Sequence, residues 1–306
     1  MTRQPRRPPE LRGKIFRGSQ ARALGLLTKK DLQSSAWRKL FRDVYADAAL
    51  APTHRTRAWA AARYLLPEHA ALGGRSAAAF FGVNLAKETD AVEVATSKDF
   101  GPIDGLVIHR GPLPDPEVVS HGGVRLTSPV RTCWDLCRWR PVDEAVVFLD
   151  ALVARGIVGR DAIGAYAEGR RPERGWRRVD RAVRLVDGAA ESPQESRLRV
   201  RLVLAGFPPP ISQHVLTAGG VFVARFDLAW PQWRIAVEYD GAWHAERTQL
   251  ERDRARLNRV AGAGWLVLHI TAARLRDDFD GFARELREAM ISRGAAVSVR
   301  CRMEPS

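Results

Sequence analysis

The sequence predicts a multi-domain α/β protein: an N-terminal winged helix, an α+β middle region and a C-terminal mixed sheet flanked by helices. Length and composition come first, because 306 residues at 45% hydrophobic content can build more than one core and are too apolar for a disordered chain. Capped helical runs then alternate with short strand-like runs along the chain. Finally, Val221 to Trp230 and Arg234 to Tyr239 are apolar strand patterns split by Pro231-Gln232-Trp233, with a helical pattern on either side.

Residues 1–14, with Pro5, Pro8, Pro9 and scattered arginines, predict a disordered tail. Ser19 caps a short helix through Ala23 that stops at Gly25, and Thr28-Lys29-Lys30-Asp31 caps a second through Trp37. Lys39 to Asp47 reads as a strand with alternating basic and apolar positions, completing a helix, turn, helix and wing. Residues 1–50 hold 12 Lys plus Arg against 4 Asp plus Glu, more than half of the net charge of +14. Such a concentration suits a polyanion, and nucleic acid is preferred to a membrane because no large apolar face accompanies it. With the second helix in a major groove, Lys29, Lys30, Gln33, Ser34, Ser35 and Arg38 are the contact candidates. The remaining charge is spread out, and arginine outnumbers lysine 43 to 6, a bias that genomic base composition can also produce.

In the middle region, a helix from Thr53 to Leu66 ends at Pro67 and another runs from Ser76 to Phe81. Strands are expected at Ala91–Ala95, Leu106–His109 and Val124–Leu126, then a helix opened by Ser128-Pro129 and further helices near Val142–Arg155, Arg160–Glu168 and Gly175–Val186. Arg131 and Asp135 have the spacing of an i,i+4 ion pair. Cys133 and Cys137 lack a second Cys or His pair nearby in sequence, so they read as a packed helix face. No catalytic constellation stands out here. Gly188-Ala189-Ala190 marks a boundary, dividing the chain into 1–50, 51–190 and 191–295.

The last region opens with Ser192-Pro193-Gln194-Glu195: a cap, a proline at the first helical position and an acid at the third. Its helix ends at Gly206. Strands Ser212–Leu216, Val221–Leu228 and Arg234–Tyr239 make an antiparallel meander, turned first at Ala218-Gly219-Gly220. A helix from Glu246 to Val260 should turn Leu250, Leu257 and Val260 inward, Trp265 to Ile270 returns as a strand, and Ala272 to Met290 closes as helices. His269 reads as a core or rim residue.

The acids in these strands carry the chemistry. A buried strand should have none, yet Asp227 lies on one and Glu238 on the next, with Asp240 two residues on. If the turn centres near Gln232 and Trp233, Asp227 stands opposite Glu238, and the period of two puts Asp240 on the same face. Three carboxylates that close repel strongly unless a cation neutralises them, and an all-oxygen set suits Mg²⁺ or Mn²⁺ rather than zinc. The plainer alternative is solvent-facing acids at a sheet edge and an ordinary Asp-Gly turn.

The order of these residues resembles the PD-(D/E)XK nucleases, in particular the bacterial domains similar to very-short-patch-repair endonucleases. The likeness covers roughly Ser192 to Met290. It rests on Glu195 in a helix, Asp227, Glu238-Tyr239-Asp240-Gly241 with His244, Asp253 to Asn258, and Gly264-Trp265 opening the last strand. The resemblance implies a restriction-endonuclease-like fold and metal-dependent DNA cleavage. It makes Asp227 and Glu238 ligands of Mg²⁺ or Mn²⁺, Asp240 a third or outer ligand, and Glu195 an acid reaching toward the metal. The capping box alone also accounts for Glu195. The family's lysine should stand where Asp240 is, and no lysine follows Lys98. His244 is then the natural acid or base, with Arg252 and Arg256 supplying positive charge toward DNA.

The N-terminal module and the phrase Thr127-Ser128-Pro129-Val130-Arg131-Thr132-Cys133-Trp134-Asp135-Leu136 resemble antitoxins of the AbiEi type. That likeness implies DNA as partner, with a toxin or another defence protein as a further one. It also supplies the rival reading, a non-enzymatic regulator with an inactive nuclease fold. No run of 18 apolar residues exists, and the Arg- and Pro-rich start lacks a signal peptide's apolar segment, so a soluble cytoplasmic protein is expected.

Overall fold

The structure is a computed structural model that describes residues 5–241 and 256–296. It contains helices and three sheets, an α/β protein of two compact units. The first comprises Met1–Trp139 with Asp161–Trp176, the second Arg140–Arg160 with the chain from Arg177 onward. The expected boundary at residue 50 therefore falls inside one unit, and the helix after Pro141 joins the C-terminal unit rather than the middle region.

In the first unit, β1 (Ile15–Arg17), α1 (Gly18–Ala23), β2 (Trp37–Phe41) and β3 (Val44–Asp47) form a three-stranded sheet, order β1-β3-β2, with one helix on it. Against the expected winged helix, two expectations fail. The second helix is a single 3-10 turn, Asp31–Gln33. Thr28 and Asp31 do cap one another, Thr28 N donating to Asp31 Oδ2 at 2.8 Å and Asp31 N to Thr28 Oγ1 at 3.1 Å. After that turn, however, Ala36 and Trp37 are pulled into the core, where Trp37 meets the Phe16 ring edge-on at 5.1 Å, and the chain must extend to reach it. The strand expected from Lys39 to Asp47 is likewise two, reversed at Asp43 with φ of 60°. Nor are residues 5–14 free: Arg7 and the Gly13 N–H both donate to the buried carboxylate of Asp47.

A five-stranded sheet, order β6-β5-β4-β8-β7, completes this unit. Its strands are β4 (Ala70–Leu72), β5 (Val92–Thr96), β6 (Leu106–Arg110), β7 (Val118–His121) and β8 (Val124–Thr127). The sequence reading missed β4 and β7, which are only three and four residues long. Helices α2 (His54–Tyr64) and α3 (Gly74–Phe80) cover the sheet with alanines, so helix and strand approach closely. Helices α4 (Pro129–Trp139) and α6 (Arg160–Glu168) follow, with α5 (Val142–Ala154) between them in sequence. On α4, Arg131 and Asp135 form the predicted ion pair at 2.9 Å, and Arg131 also engages Glu117.

The second unit holds α5, α7 (Trp176–Leu185), α8 (Pro193–Leu204) and the sheet that matters for function. Strands β9 (Ile211–Ala218), β10 (Val221–Trp230) and β11 (Ile235–Asp240) make the expected antiparallel meander, and β12 (Leu266–Thr271) adds parallel to β11, giving the order β12-β11-β10-β9. Residues 256–262 are helical (α9), followed by α10 (Ala272–Asp277) and α11 (Phe279–Ser292). Alternation along the strands sorts two cores: Trp230, Ile235 and Val237 pack with Leu198, Phe282 and Leu286, while Ala229 and Ala236 pack with Val260 and Trp265. Val260 turns inward as expected, whereas Leu257 is 45% exposed.

Candidate active site

The two central strands bring the predicted carboxylates together. Leu228 pairs with Val237, which sets Asp227 opposite Glu238 on the face shared by Ala229 and Ala236. The Tyr239 N–H donates to Asp227 Oδ2 at 2.8 Å, holding that side chain against β11. The register continues outward. Ser212 pairs with Leu228 and His214 with Phe226, so Gln213 stands beside Asp227, and on the other flank Glu238 pairs with His269. One polar residue per strand thus forms a transverse row: Gln213, Asp227, Glu238, His269. A cleft of about 540 Å³ opens over Asp227, Glu238 and His269, lined also by Arg225, Asp240 and Arg256.

Glu195 approaches this row from α8. Ser192 Oγ accepts its N–H at 3.2 Å, the N-cap half of the expected capping box. Its own carboxylate accepts from Glu191 N at 3.0 Å and from Gln213 Nε2 at 2.8 Å. Glu195 thus belongs to the start of α8, and its charge is felt at Asp227. Gln213 has a φ of 52°, a left-handed conformation uncommon for a residue with a Cβ. Nothing in the local sequence marked it. His269 could have been found by docking the last strand parallel to β11, which sets it beside Glu238.

Burial pushes the Asp227 carboxyl up to about 6. The Tyr239 N–H works against this, while the charges of Glu195, Glu238 and Glu191 add to it. The site is a half-buried acid crowded by three others.

Two predicted positions behave differently. Asp240 does not join the carboxylate pair; at the exposed end of β11 its Oδ1 takes Nδ1 of His269 at 3.2 Å, a diagonal neighbour across the parallel strands that offers a donor instead of another anion. Arg256, expected to face DNA, instead clasps Glu238 with both terminal nitrogens. Consequently no three His, Cys, Asp or Glu side chains among the described residues are arranged to hold a metal. His244 and Arg252 lie outside the described residues. The donor chemistry of Asp227 with Glu238 still fits a hard divalent cation, because two adjacent carboxylates with acids behind them gain most from one. Arg256 supplies part of that neutralisation.

In the first unit, Lys29, Lys30, Gln33 and Ser35 are exposed around the 3-10 turn. Ser34 Oγ donates to Asp31 O, and Arg38, on β2, donates to the carbonyls of Leu50 and Ala48. Those two are occupied within the chain.

No family model and no solved structure matches this chain. It is similar to two uncharacterized proteins of Mycobacterium tuberculosis, one in each of two strains. Each is 30% identical over 176 residues, 57% of this chain, and the match spans 64% of the relative's length. No helix among the described residues is long and apolar enough to cross a membrane.

Proposed function

We propose that the chain is a divalent-metal-dependent DNA endonuclease, with Asp227 and Glu238 as the residues that would hold Mg²⁺ or Mn²⁺. The observation that carries this is the pairing of those two carboxylates across adjacent strands at the floor of an open cleft, with Asp227 raised to about 6 by burial and by its acidic neighbours. A divalent cation there supplies Lewis acidity toward a phosphodiester and a lower pKa for bound water. The chain supplies the rest. Glu195, fixed by Gln213 and the Glu191 N–H, adds negative charge behind Asp227. His244, from its place in the sequence motif, is the acid or base that replaces the missing lysine. The basic N-terminal module, through Lys29 and Lys30, tethers the enzyme to DNA. A cytoplasmic setting and a toxin or other defence protein as further partner belong to the same reading.

A second reading has support in one contact. Arg256 neutralises Glu238 as a cation would, which suits a non-enzymatic regulator on an inactive nuclease fold. Nicking of supercoiled plasmid in Mg²⁺ or Mn²⁺ separates the two. The wild type should nick, and Asp227→Ala and Glu238→Ala should each abolish nicking while leaving the thermal melt cooperative. A wild type no more active than both variants would leave the regulator reading standing.

A further inference from the structure

The charge that looks scattered in sequence is gathered on α7. Val179 and Ala182 of that helix are fully buried, while Arg177, Arg178, Arg181 and Arg184 are exposed. Spacings of one, four and seven residues put the arginines on one stripe, roughly 10 Å long at 1.5 Å per residue. Arg160 extends it, donating from Nε to Val183 O at 3.0 Å and from a terminal nitrogen to Arg184 O at 3.4 Å, which caps the carbonyl end of the helix with a further cation. The helix has one acid, Asp180, paired with Arg184 at 3.1 Å.

An exposed stripe of arginines presents its positive charge to a polyanion. A bilayer is a poor match, because the apolar face of α7 is already spent on the core and nothing remains to enter lipid. Guanidinium forks suit phosphate oxygens in series. Position adds a further point: two residues past the end of α7, Asp187 Oδ2 accepts from Ser212 Oγ at 2.6 Å on β9, the strand that carries Gln213 of the transverse row.

We propose that the arginine stripe of α7, with Arg160, is a second nucleic-acid surface that binds the phosphate backbone, separate from Lys29 and Lys30. It does not depend on hydrolysis. The test uses the full-length chain and a short fluorescein-labelled DNA duplex, with anisotropy titrations across a range of KCl. Replacing Arg177, Arg181 and Arg184 together by Gln should reduce the magnitude of the log–log salt slope by roughly 2 to 3, at about 0.9 per lost phosphate contact. The same three changed to Lys should restore the wild-type slope, and Gln at exposed Arg63, Arg125 and Arg284, an equal loss of net charge, should leave it unchanged. Titrations in EDTA keep hydrolysis out of the readout, so the outcome is independent of the endonuclease reading. The proposal is overturned by a wild-type slope in the Gln variant, by an equal loss in the Arg63, Arg125 and Arg284 control, or by failure of Lys to restore the slope. Competition by polyglutamate as effective as that by unlabelled duplex would overturn it in favour of an acidic protein partner.

Discussion

Asp227→Asn should make the metal-free protein more stable at pH 8, although it removes a residue placed at the centre of the site. The carboxyl is raised from 3.8 to about 6, so the fold prefers the protonated form and is penalised for the anion. For an acid with a raised folded pKa, stability falls as pH climbs from about 4 to about 6 and stays low above that. The rise from 3.8 to about 6 corresponds to roughly 3 kcal/mol at about 1.36 kcal/mol per tenfold in proton affinity, and screening at this partly buried position reduces that to about 1–2 kcal/mol. Asparagine keeps an oxygen for the Tyr239 N–H and carries no charge toward Glu195, Glu238 or Glu191. Urea melts in EDTA at pH 8 and pH 4.5 provide the assay. The variant should exceed wild type by about 1–2 kcal/mol at pH 8 and lose most of that advantage at pH 4.5. Addition of Mn²⁺ at pH 8 should raise the midpoint of wild type and leave that of the variant unchanged. An Asn variant less stable than wild type at pH 8, or a difference independent of pH, would refute the reasoning.

Other expectations concern the scaffold. Arg199, almost wholly buried on α8, bonds Asp150 of α5 at 2.8 Å, and burial raises the Asp150 carboxyl despite that partner. Arg199→Ala should cost about 3–5 kcal/mol in urea unfolding by removing the buried acid's counter-charge, and adding Asp150→Ala should recover part of it; a double variant worse by the full sum would show packing rather than charge at work. In the first unit, Ser76 Oγ accepts from Glu93 N at 2.8 Å and shares a hydrogen bond with His54 Nε2, also at 2.8 Å. Burial and then Arg75 lower the His54 pKa from 6.5, so the fold favours the neutral ring, and its contribution is lost as pH falls below 6.5 toward the folded value. His54→Gln should flatten the change in stability between pH 7 and pH 5; an unaltered pH profile would remove His54 as its source. At the proposed catalytic histidine, His244→Ala should lower any nicking rate on the order of 10²-fold with metal affinity retained, and loss of metal binding would make it a ligand instead.

The α/β class and the meander of the C-terminal sheet were legible because local patterns carry them: period-two apolar runs, Gly-Gly and Pro-led turns, and the cap at Ser192. The opposition of Asp227 and Glu238 was legible too, since a hairpin's turn fixes its register. Where a residue's place depends on something distant in sequence, the reading failed or stayed silent. Trp37 was assigned to a helix by its capped neighbours, yet burial against Phe16 drew it into a strand. Asp240 was grouped with Glu238 by alternation, but a histidine arriving on β12, 29 residues later, takes its carboxylate. Gln213, His269 and Arg256 meet the acidic pair only because β9, β12 and α9 dock around β10 and β11. The sequence by itself determined which acids lie side by side, because hydrogen-bonded neighbours are set by local chain reversal. Only the tertiary structure decided which charges answer those acids, because those pairings follow from how whole elements pack.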